Sequence, residues 1–185
     1  MGLSKEHPRV LIGTVGYHNL CNHSVGPILL PELQSISWPP GSAVEELNWG
    51  PIAIVQRLQS EKKPFERVVL LSAVEREGRQ TGDISIFRWL GGLPGDDQIQ
   101  ACIGDAVTGV ISVENLLVIG EHFKAWPEEV FLVDVEPGPE KTGPTLTPEV
   151  ARKEPEILDI MTRLGRKGSA PRWPVRHLFG NLIMQ

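Results

Sequence analysis

Residues 67–74 read RVVLLSAV, a run that is apolar on both alternating faces and too short for a buried helix. Such a strand must lie inside a sheet covered on both sides, the position of a central strand in a parallel sheet. Two other runs share its character, RVLIGTV at 9–15 and EVFLVDVEP at 129–137. AVEELNW (43–49) predicts a second strand. DISIFRWL, reached through the turn EREGRQTGD, alternates as a half-exposed strand does.

Helical segments separate these runs. SVGPILLPELQSI tolerates Pro27 in its first turn beneath a Ser24 cap, and Pro31 predicts a kink. GPIAIVQRLQSE (50–61) and SVENLLVIGEHF (112–123), the second capped by Ser112, carry apolar residues at helical spacing. TPEVARKEPEILDIMTRL reads as a last helix that starts at Thr147. The alternation predicts a single three-layer α/β domain over 1–162, with a mainly parallel twisted sheet and helices on both faces. Residues 163–185 then form a basic and apolar tail. In open α/β sheets, sites form beyond the carboxyl ends of the strands, which directs attention to the segments after 15, 49, 74 and 136.

Charge and cysteine usage narrow the function classes. A net charge of −5 argues against nucleic acid as the main partner. The two cysteines, Cys21 and Cys102, make no disulfide framework. The start, MGLSKEHPRV, lacks the apolar core of a secretory signal, and Glu6 breaks the myristoylation pattern. No run approaches the roughly 18 apolar residues of a membrane span. The expectation is a soluble cytoplasmic protein with neither membrane nor nucleic-acid partners. After Asp159 only basic charges follow (Arg163, Arg166, Lys167, Arg172 and Arg176), so the preceding chain carries −10. With Trp173, Leu178, Phe179, Leu182, Ile183 and Met184 among them, the tail either packs back on the body or docks elsewhere.

Chemistry concentrates in the loop GTVGYHNLCNHSVGP, residues 13–27. His18, Cys21 and His23 are good ligands for zinc, nickel or copper and, with Asp134, stand as metal candidates, although no matching remote set accompanies them. Gly13 and Gly16 do not fit a dinucleotide or phosphate-loop pattern. Ser72 lacks the nucleophile elbow and reads as structural. Asp134 interrupts a strand that should be buried, so it needs a partner, a metal or an exit to solvent.

With these residues in place, the chain resembles the hydrogenase maturation proteases, which trim the C-terminal extension of nickel–iron hydrogenase large subunits. The resemblance rests on VLIGTVGYHNLCNHSVGPILLPEL, on SVENLL, on WPEEVFLVDVEP and on GPTLTPEV, in the family's order from about residue 9 to 160. It implies three metal-binding positions, a Glu or Asp, an Asp and a His, which fall here at His23, Ser72 and Gly109. A neutral hydroxyl binds divalent ions weakly, and glycine offers only its backbone. The resemblance therefore implies no catalytic residue and no tightly bound cofactor, with nickel reaching the protein only through its partner. It implies an assembly factor or chaperone whose partner is a hydrogenase large-subunit-like protein. Gly13, Gly16, Asn19, Asn22, Gly26 and Trp49 would form the partner-binding loop region. One alternative is an active processing endopeptidase with a rewired site drawn from His18, Cys21, His23, Glu75 or Asp134. A second is a metal or small-molecule carrier.

Overall fold

The structure, a computed structural model, describes residues 8–166 and 175–177. Four strands run parallel: β1 (Val10–Val15), β2 (Ala43–Glu46), β3 (Arg67–Ala73) and β5 (Glu129–Val135). β4 (Ile84–Trp89) joins antiparallel to β5, and β6 (Val175–His177) lies parallel to β4 beyond it. The sheet order is β2-β1-β3-β5-β4-β6. The apolar run at 67–74 thus yields an inner strand, with residues 67–72 all buried.

Two apolar clusters cover the sheet. On one face Leu11, Val15, Val68, Leu70, Val130 and Leu132 meet the helices α2 (Pro51–Gln59), α3 (Asp96–Val107) and α4 (Val113–His122). On the other, Ile12, Val69, Leu71 and Val133 meet α1 (Val25–Ser35), α5 (Pro148–Ala151) and α6 (Glu154–Gly165). The three-layer α/β expectation holds. Among the described residues, no helix is long and apolar enough to cross a membrane.

Several local expectations change. β4 is mostly buried rather than half-exposed, because Ile86 faces one cluster and Phe87 and Trp89 the other. α1 continues through Pro31 to Ser35, with the Pro31 ring on its exposed side. Ser24 does not cap α1; its hydroxyl accepts from the Leu20 amide at 2.8 Å. The last helix is two, because Pro155 restarts the chain in the first turn of α6. α3 is an addition to the expected elements, and only Ile99 of it is buried. Ser112 does cap α4, accepting from the Asn115 amide. Within the tail, β6 pairs with Ile86–Arg88; Trp173, Leu178, Phe179, Leu182, Ile183 and Met184 lie outside the described residues.

Candidate functional site

Strand register brings Val15, Ser72, Asp134 and Ser85 side by side in one row across β1, β3, β5 and β4. The row lies at the carboxyl end of the parallel strands, where the sequence directs attention. Ser72 is buried, and its hydroxyl reaches only the Ala73 carbonyl, at 3.4 Å. Among the described residues, no imidazole is hydrogen-bonded to it.

Asp134 is fully buried and has found its partners in the turn after β3. Arg76 donates from Nε to Asp134 Oδ2 at 2.6 Å, and Arg79 donates from Nη1 to Oδ1. Arg79 also reaches Ser85 Oγ, Glu136 Oε2 and the Val74 carbonyl. The Arg76 amide donates to Glu136 Oε2 at 2.8 Å, its Nη2 approaches Glu114 Oε1 at 3.3 Å, and its guanidinium stacks 4.6 Å from the Phe87 ring centre. Burial pushes the Asp134 carboxyl above its ordinary value, and the two guanidiniums pull against that rise without cancelling it. Both Asp134 oxygens face guanidiniums, which a cation would have to displace.

The other candidate ligands are also engaged separately. His18 Nε2 lies 2.6 Å from Glu46 Oε1, and His23 Nε2 lies 3.0 Å from Glu75 Oε1. Cys21 turns the other way, its sulfur against Gly143, where an added Cβ would stand 2.8 Å from it. The backbone fixes that orientation, since the Cys21 amide donates to the Gly143 carbonyl and the Gly143 amide to the Asn19 carbonyl, each at 2.9 Å. Asn19 takes φ of 60°, which asparagine adopts more readily than most residues. Among the described residues, no three His, Cys, Asp or Glu side chains converge as a metal site. Gly109 sits in an exposed turn before α4 with open space about it.

The expected partner-binding set divides into outer and inner residues. Gly13 belongs to β1 rather than the loop; a Cβ there would lie 2.5 Å from Leu47 Cδ1 and 2.9 Å from Leu70 Cδ2. Gly26 is buried in α1 and lets the helix approach the Val15 and Leu71 carbonyls. Asn22 is also buried, where it donates to the Pro137 carbonyl and to Thr147 Oγ1 and accepts from the Thr147 amide. Gly16 lets the loop double back, for a Cβ there would meet the His23 carbonyl oxygen at 2.8 Å. Only Asn19 and Trp49 of the set are outwardly exposed.

Side-chain bonds knit the surrounding loops together. Asn48 Oδ1 accepts from the Gly16 amide, and Asn48 Nδ2 donates to Glu46 Oε1. Tyr17 Oη accepts from the Ile111 amide at 2.9 Å, joining the first loop to the segment before α4. Sequence spacing gave no sign of that contact, and the sequence-based expectations did not single out Arg76 and Arg79 as partners of Asp134. A pair of arginines three apart in the turn after β3, facing one buried acid, was the available signal.

The fold has solved counterparts. The hydrogenase maturating endopeptidase HybD from E. coli superposes with a TM-score of 0.59 at 19% identity, over 82% of this chain and 88% of that one. The fold is that of the hydrogenase maturation proteases. The hydrogenase 2 maturation peptidase from a Thaumarchaeota archaeon gives 0.55 at 24% identity, over 82% and 93%. The [NiFe] hydrogenase maturation protease HybD from Thermococcus kodakarensis gives 0.55 at 19%, over 85% and 99%. No protein-family model matches the sequence, and no curated protein matches it significantly. The maturation-protease-like fold expected from the motifs is therefore borne out, at an identity that establishes fold alone.

Proposed function

We propose that the protein is a non-proteolytic relative of the hydrogenase maturation proteases. It keeps their fold and a partner-docking face, and acts as an assembly factor or chaperone for a nickel–iron hydrogenase large subunit or a related metalloprotein. The observation that carries this reading is the commitment of Asp134, the acid in register with Ser72, to Arg76 and Arg79. Of the three positions implied by the resemblance, Ser72 and Gly109 supply no charged or imidazole ligand. His23 is engaged with Glu75. Nickel, in this reading, travels with the partner.

One observation favours the active-enzyme alternative. His23 and Glu75 already form an imidazole–carboxylate pair, and His23 Nδ1 is buried without a hydrogen bond. Two donors remain short of the three that hold a catalytic metal. The deciding experiment isolates the tagged protein gently from its host and follows the intact mass of co-purifying proteins over time. A large subunit that keeps its C-terminal extension supports the assembly factor. An extension lost with the parent protein and retained with His23→Ala establishes the enzyme.

A further inference from the structure

The carboxyl end of the sheet carries a rim whose aromatic groups are fixed in place while their faces remain open. Trp49 is 42% exposed, yet its Nε1 donates to the Glu46 carbonyl. Tyr17 is 40% exposed, yet its hydroxyl accepts from the Ile111 amide. The Gly16–Asn48 bond ties the two loops that carry these rings. Val110, beside Ile111, and Val107 at the end of α3 extend the exposed apolar surface. Rings held by their polar ends lose little freedom when a partner covers them, a property of strong interface anchors.

Charge selects the kind of partner. Arg76 and Arg79, in the turn after β3, are spent on Asp134, Glu136 and Glu114. Outside them stand Glu46, Glu75, Glu77 and Asp105, the first two faced by the imidazoles of His18 and His23. The field above the aromatic rim is therefore negative, and it favours a cationic approach while repelling an acidic one. We infer that this rim docks a partner-protein segment in which Lys or Arg side chains flank apolar ones. The inference deepens the assembly-factor reading, and rests on it for the segment's belonging to the partner subunit.

The test uses the full chain and a labelled synthetic peptide alternating Lys with Leu, beside a second peptide with Glu in place of Lys. Fluorescence anisotropy is expected to show binding of the first only, weakening with added salt. Trp49→Ala is expected to weaken it by about tenfold or more, and the paired change Glu75→Gln with Glu77→Gln to flatten its salt dependence. Equal binding of both peptides, or unchanged affinity in Trp49→Ala, overturns the inference. Circular dichroism confirms that each variant folds, and the Glu pair supplies an independent readout should Trp49→Ala not fold. The same variants in the isolation experiment separate the two readings. A large subunit captured equally by parent and variants sinks the rim while leaving the assembly factor; peptide binding without any captured subunit does the reverse.

Discussion

Asn22 and Thr147, 125 residues apart, hold each other by exchanged hydrogen bonds: Asn22 Nδ2 donates to Thr147 Oγ1, and the Thr147 amide donates to Asn22 Oδ1. The second Asn22 Nδ2 bond, to the Pro137 carbonyl, adds the loop after β5 to the same clamp. Only an amide supplies the donors and the acceptor together. Asn22→Asp is expected to cost about 2 kcal/mol, because a carboxylate faces the Pro137 carbonyl with no proton to give. Asn22→Ala should cost a similar amount. Urea unfolding of both variants checks this; a parental midpoint for Asn22→Asp would remove the clamp from the account.

The Asp134 network sets a pH dependence with a definite sign. Its carboxyl pKa is raised on folding, so the folded state holds the proton more tightly and Asp134's contribution to stability declines as pH climbs through the raised value. Arg79→Met removes one opposing guanidinium and raises that pKa further. The variant's deficit is then smallest in acid and grows toward neutral pH, reaching about 3 kcal/mol. Thermal melts of parent and variant from pH 4 to 7 test it. A gap that narrows as pH rises contradicts the argument.

Two glycines should answer an alanine in opposite ways. At Gly16 the new methyl meets the His23 carbonyl oxygen at 2.8 Å, and the loop has to shift. Gly16→Ala is expected to destabilise by about 1–3 kcal/mol. Gly104, inside α3, has nothing within 4 Å of the added carbon. Gly104→Ala should stabilise by roughly 0.5–1 kcal/mol through backbone entropy and helix propensity. Chemical denaturation reads both signs.

Metal uptake follows from the divergence of the first-loop ligands. Cys21 faces Gly143 while His18 and His23 engage Glu46 and Glu75. Equilibrium dialysis of the isolated protein against nickel or zinc is expected to leave less than one ion per chain. Stoichiometric uptake that disappears in Cys21→Ser would instead favour the carrier.

The sheet was legible because β1, β3 and β5 are continuous apolar runs, and burial on both faces leaves such runs one place to go. α3 was not: DDQIQACIGDAV buries only Ile99, so its apolar stripe is too thin to register as a period. β4 misled because Ser85 looks outward by alternation, yet its hydroxyl is occupied inside by Arg79. The site was legible as a place and not as a geometry. Alternation of strand and helix located the loops, whereas the pairing of Asp134 with Arg76 and Arg79 spans 58 and 55 residues and leaves no mark in local pattern.

The placement of β6 has a bearing on how the chain is made. β4 lies between β5 and β6, so one of its two hydrogen-bonding edges stays bare until residues 175–177 have emerged from the ribosome. Every other described strand is already available by residue 135. A nascent chain stalled in that interval would present an unpaired strand edge, the surface on which other chains add and aggregates begin. The stretch between Val135 and Val175 therefore separates completion of the inner sheet from the cover of that edge.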